Sequence, residues 1–206
     1  MPFDKNIFIN CPFDTEYRKL LDPLLFTCIY AGLEPQLSQL EDSGIIRIKQ
    51  IIKLIKNSKY SIHDLSRMKS KKPDEFARFN MPFELGLDLG IREQAKANLR
   101  KKRCLIIDQE KYRYQAALSD IGGSDIKSYG TKNQVENIIE RVREWFTVVL
   151  NPIQVSSSKL YLEYTEFVSD LQSKLEAQNF TKKDIQNLTI SEYIHYSKEW
   201  ILSRPN

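Results

Sequence analysis

Apolar positions change period repeatedly along the first 150 residues, and each change marks an element. Residues 5–10 (Lys-Asn-Ile-Phe-Ile-Asn) have the length and character of a short buried strand, closed by the proline turn Cys11-Pro12-Phe13-Asp14. From about Glu16 to Tyr30 the period becomes helical, with Leu20, Leu21, Leu24, Leu25 and Cys28 on one stripe and Gly32 placed to end the helix. Residues 33–37 predict a second strand, and Pro35, which cannot donate to a ladder, puts it at a sheet edge or at the strand's first position. A polar turn, Glu41-Asp42-Ser43-Gly44, precedes isoleucines at helical spacing over 45–57, with Lys and Arg on the other face.

Tyr60 to Leu65 reads as a third strand, and a Lys- and Ser-rich loop runs from Ser66 to about Phe79. Pro82 opens the next helix, which continues to about Ala97, because proline is tolerated in a first turn. Arg103 to Asp108 is a fourth strand, and 125–129 a fifth, short one. The helix over about 132–150 carries Val135, Ile138, Ile139, Val142, Trp145 and Phe146 on one stripe. This alternation predicts a parallel sheet of about five strands with helices on both faces.

Asn151-Pro152 begins a boundary. Residues 1–150 are therefore expected to form the α/β domain and 151–206 a helical extension. The extension's aromatics, among them Tyr161, Phe167 and Trp200, imply docking onto the main domain or onto a second subunit. Composition changes little in this picture. A hydrophobic fraction of 41% among 206 residues is enough for a core, and no apolar run approaches a membrane span. Three cysteines without zinc-type spacing, and no signal-peptide layout, fit free thiols in a reducing cytoplasm. The net charge of +4 comes from clusters at Arg47–Lys59, Arg67–Lys72 and Lys96–Arg103, which read as solvated faces. No zinc finger, RNA-binding aromatic motif or basic stripe supports a nucleic-acid partner.

Open parallel sheets bind ligands at the carboxyl ends of their strands. That rule selects Asn10 to Asp14, Gln36 to Asp42, His63 to Arg67 and Asp108 to Tyr114, with the helix near Pro82 aimed at the same crevice. Glu84 falls in the first turn of that helix, where capping by Asn80 or Met81 is the plain explanation. Gly86 and Gly90, four apart, would let the helix pack close against the sheet. Asp64 ends the third strand and has the position of a ribose-binding carboxylate; His63 beside it reads as a packed or supporting histidine. Arg47 and Arg67 are candidate phosphate partners. Neither GxGxxG nor GxxxxGK[ST] occurs, and nothing in the sequence activates Cys11 as a nucleophile.

Three segments carry a resemblance. Phe8-Ile9-Asn10-Cys11-Pro12-Phe13-Asp14, His63-Asp64-Leu65-Ser66 and Arg78-Phe79-Asn80-Met81-Pro82-Phe83-Glu84-Leu85-Gly86 look very like a bacterial family of largely uncharacterised proteins. More distantly the arrangement resembles the nucleoside 2-deoxyribosyltransferase-like and TIR-like nucleotide-handling domains, over roughly residues 5–145. The resemblance implies a flavodoxin-like fold and a glutamate acting at the anomeric carbon of a ribosyl N-glycosidic bond. By motif position that glutamate is Glu84, with Asp64 as the second catalytic candidate. Asn10, Cys11, Pro12, Phe13, Asp14, Tyr17, Arg47 and Asn80 are the candidate substrate-binding residues. Asn10-Cys11 stands where the deoxyribosyltransferases have a glycine-led turn, and Met81-Pro82-Phe83 where they have small hydroxyl residues. Both differences favour the TIR-like members, many of which consume NAD, often in antiphage defence. No separate cofactor is implied, since NAD or a related nucleotide would be the substrate. Assembly into a homo-oligomer is expected by the same analogy.

Overall fold

The computed structural model describes residues 2–40, 44, 46–70, 77, 79–95, 97–150 and 155–204. The expected turn at 41–44, the loop at 66–79 and the boundary at 151–152 lie wholly or partly outside them. Five strands, β1 (Asn6–Asn10), β2 (Glu34–Gln36), β3 (Tyr60–Asp64), β4 (Arg103–Asp108) and β5 (Lys127–Ser128), form one sheet. Every pairing is parallel and the order is β2-β1-β3-β4-β5, the flavodoxin-like arrangement. Pro35 lies within the edge strand β2, where its missing N–H leaves no gap in a central ladder.

Helices α1 (Arg18–Tyr30), α2 (Arg47–Lys56) and α3 (Asn80–Gln94) connect successive strands, and α4 (Gln134–Val149) follows β5. Side chains alternate across the sheet. Ile7, Ile9, Tyr60, Ile62, Leu105 and Ile107 join one cluster with α1 and α4. Phe8 instead packs on Ile51, Leu54 and Ile55 of α2, and Ile106 on Met81 and Leu85 of α3. Both faces are covered, so β1 and β3 are buried at every position. His63 and Asp64 therefore do not divide into one inward and one outward residue; each is buried, on opposite faces.

α1 ends as its sequence suggests. Gly32 takes φ +77, and the Leu33 N–H reaches back to the Cys28 carbonyl at 3.0 Å, closing a left-handed cap. α3 departs from expectation at both ends. It starts at Asn80, two residues before Pro82, because a proline anywhere in a first turn lacks only an N–H that has no helical partner. It stops at Gln94, where Ala95 turns extended, and Ala97–Lys101 form a short 3₁₀ turn. Gly86 and Gly90 are also not packing contacts. Both are exposed, and a Cβ added at either would meet open space.

α5 (Ser157–Ala177), α6 (Lys182–Gln186) and α7 (Ile190–Ser203) follow. They share the core of the α1 and α4 face. Phe26 of α1 stacks on Phe167 of α5 with ring centroids 5.2 Å apart, and Trp200 of α7 lies 5.9 Å away. Arg18 donates to the Leu188 carbonyl at 2.8 Å, and the Tyr193 hydroxyl to the Asp22 carbonyl at 3.1 Å. Among the described residues no helix is long and apolar enough to cross a membrane.

Candidate functional site

The crest of the sheet ends in three buried polar residues, Asn10 on β1, Asp64 on β3 and Asp108 on β4. Strand alternation sends Asn10 toward α3 and Asp64 toward α1. The two faces consequently carry different chemistry.

On the α3 face, the Asn10 amide nitrogen lies 2.9 Å from both the Met81 carbonyl and His63 Nδ1. His63 Nε2 is 3.0 Å from an oxygen of Asp88, whose other oxygen is 3.2 Å from Lys102 Nζ. Lys102 also donates to the carbonyls of Ile55 and Ser58, at 2.8 and 2.5 Å. Every member is buried. Burial pushes the Asp88 carboxyl up, but the bond from His63 and the Lys102 ammonium outweigh it and hold it below the ordinary carboxylate value.

Glu84 stands one helical turn before Asp88 on the same helix and is 6% exposed. It is the fifth residue of α3, so it lies beyond the first turn, and the Phe79 cap position makes no side-chain capping bond. A capping box is thus absent. Among the described residues no hydrogen bond reaches the Glu84 carboxylate. Burial pushes its pKa up, opposed chiefly by the guanidinium of exposed Arg47. Phe79 and Phe83, 59% and 58% exposed, present rings at the same end of α3.

On the other face Asp64 is fully engaged. It accepts the Tyr17 hydroxyl at 2.6 Å and the Ser66 N–H at 2.7 Å, and has no exposed surface. Asp14 accepts the Tyr17 N–H at 2.9 Å and Arg67 at 3.1 Å, which turns it into a cap for the start of α1. Arg67 pairs with Glu16 as well, at 3.1 Å. Asp108 is held by Arg113. These bonds tie the strand-end loops to one another.

The sequence candidates thus separate into groups. Asn10, Cys11 and Pro12 are buried at the crest, and Tyr17 is closed off beneath Asp64. Phe13 is half-buried against the main core. Asn80 and Arg47 are exposed at the first positions of α3 and α2. Cys11 lies within electrostatic reach of both Glu84 and Asp64. Burial and these carboxylates push its thiol well above the ordinary value, which opposes a nucleophilic thiolate. Asp88, Lys102 and Cys104 escaped sequence reading. The one available signal was Asp88 at four residues from Glu84, which places two acids on one helix face.

The chain matches no protein-family model, curated protein or solved structure. His63, Asp88 and Cys104 bring three donor atoms within 4.8 Å of one another, a set of metal-ligand type. Lys102, however, already supplies the positive charge at Asp88, and His63 Nε2 faces that carboxylate rather than an open position. Glu84 is left as the buried carboxylate with unspent hydrogen-bonding capacity.

Proposed function

We propose that the chain is an N-ribosyl hydrolase or transferase acting on NAD or a related nucleotide, with Glu84 as its catalytic carboxylate. The observation that carries this reading is the buried Glu84 side chain at the carboxyl ends of the strands, unengaged while Asp64, Asp88 and Asp108 are each paired. Such a carboxylate stabilises positive charge, since attraction strengthens as the surrounding dielectric falls. In NAD the glycosidic carbon–nitrogen bond breaks with its electron pair moving to the pyridinium nitrogen. Neutral nicotinamide departs, and the ribosyl carbon becomes cationic beside Glu84. Water or an acceptor hydroxyl then adds to that carbon and releases a proton. In this reading exposed Arg47, which acts electrostatically on Glu84, would meet phosphate, and the exposed Phe83 ring would wall the base.

One observation favours a second reading, a nucleotide-sensing module that uses the same residues. Two-carboxylate glycosidases keep both acids available, whereas the Asp64 oxygens are taken by Tyr17 and Ser66. Incubating wild type and Glu84→Gln with NAD and a panel of nucleosides, and following base release by chromatography, separates the two. Release by wild type, lost in Glu84→Gln, is the expected result. Binding without release would leave the sensing module, and neither binding nor release would overturn both.

A further inference from the structure

We propose that His63 is an uncharged positioning residue, the middle link of a buried hydrogen-bonded chain that fixes the first turn of α3 and thereby sets Glu84. The consequence for Glu84 rests on the functional reading above; the chain itself does not.

The roles follow from one fixed point. The Met81 carbonyl can only accept, so the Asn10 group 2.9 Å from it must be the NH₂. The same nitrogen lies 2.9 Å from His63 Nδ1 and turns its second hydrogen there. Nδ1 must then offer a lone pair, and the ring's single proton sits on Nε2, where Asp88 accepts it at 3.0 Å. Asp88 is balanced by Lys102, which the Ile55 and Ser58 carbonyls hold at the end of α2. Each donor thus meets an acceptor from α2 to α3, and the charges cancel within the Lys102–Asp88 pair.

Burial pushes the imidazole down, and Cys104 and Asp88 together pull it up to about 9. Geometry opposes that second proton, because it would point Nδ1–H at the Asn10 N–H in a site without exposure. Reversing the Asn10 amide would only move the conflict to Met81, oxygen against oxygen. Phe8 adds an edge contact to the ring at 5.9 Å. The Met81 carbonyl is also the helical acceptor for Leu85, the residue after Glu84. Holding it from Asn10 fixes the turn that carries the carboxylate.

The chain contains two histidines, His63 and exposed His195, so imidazole-selective ¹⁵N labelling gives two readable rings. At neutral pH His63 should show Nε2 protonated and Nδ1 bare; protonation of both nitrogens overturns the proposal. Two variants test the positioning. Gln in His63→Gln keeps one acceptor and one donor, whereas His63→Leu keeps neither. The Gln variant is expected to hold base release, or nucleotide binding, within about threefold of wild type, and the Leu variant to lose about tenfold or more. Amide exchange at Leu85 should quicken in the Leu variant alone. A folded Gln variant that behaves like the Leu variant in exchange overturns the chain. If wild type neither binds nucleotide nor releases base, the functional reading fails, while the ring protonation and Leu85 exchange still decide this inference.

Discussion

Glu84 and Asp88 occupy the same face of α3, one turn apart, and their carboxylates are in opposite states. Burial pushes the Asp88 carboxyl up, but the His63 hydrogen bond and the Lys102 ammonium outweigh it and hold it below the ordinary carboxylate value. Glu84 is raised by burial, opposed chiefly by the charge of Arg47. One helix therefore presents a neutralised acid to the interior and an unneutralised one to the crest of the sheet. Stability explains the first; the second is the feature on which the proposed function rests.

That difference gives Glu84→Gln a sign. A capping acid would lose stability on becoming an amide. A buried carboxylate without hydrogen bonds should instead gain about 1 kcal/mol at neutral pH, because the amide carries no charge to desolvate. Its folded pKa is raised, so the cost falls on the ionised form and disappears as pH drops through that pKa. The stabilities of wild type and variant should converge in acid, as chemical denaturation at several pH values would reveal. A loss of stability at neutral pH would return Glu84 to a capping role.

Asp88 has the reverse dependence. Its folded pKa lies below the ordinary 3.8, so its contribution is present above about 4 and is lost as pH falls through the lowered value. Asp88→Asn should remove that part of the acid transition. It should also cost about 3 kcal/mol at neutral pH, since Lys102 would remain buried without its counter-charge. An unchanged acid transition in the variant would show that the pair does not hold.

The strands were legible because a sheet covered on both faces buries whole runs, as in Ile7-Phe8-Ile9 and Leu105-Ile106-Ile107. Pro35 marked the edge, and Gly32 the end of α1, each through a backbone restriction visible in one residue. Lys102 was not legible. A lysine beside Lys101 and Arg103 reads as solvated, and only the packing of α2 and α3 against β3 and β4 gives its ammonium three buried oxygens. Gly86 and Gly90 misled for a related reason, since spacing identifies a helix face without saying what lies opposite. Asp64 was found by its place at a strand end, but only the fold shows its oxygens spent on Tyr17 and Ser66.

Tyr17→Phe probes that clasp directly. Removing one hydroxyl leaves Asp64 buried with one donor fewer, which should cost about 1–3 kcal/mol. Base release per folded molecule should change by no more than a few fold, because the hydroxyl lies on the α1 face, away from Glu84. Thermal unfolding and the chromatographic assay read the two effects separately. A collapse of activity without loss of stability would move Tyr17 and Asp64 into the reacting site.

α5 and α7 do not cover a finished domain; they complete its core, since Phe167 is 1% exposed and packs on Phe26, Tyr193 and Trp200 at 5.2 to 5.7 Å. Truncating Phe167 to Ala should therefore cost about 3–5 kcal/mol, the price of a buried cavity of aromatic size. Because Phe26 belongs to α1, and α1 joins the Ile7 and Ile9 side of the sheet, the loss should appear as one cooperative unfolding transition for the whole chain. Two separate transitions in calorimetry, with only one displaced in Phe167→Ala, would mean that residues 2–150 fold independently of the helices beyond them.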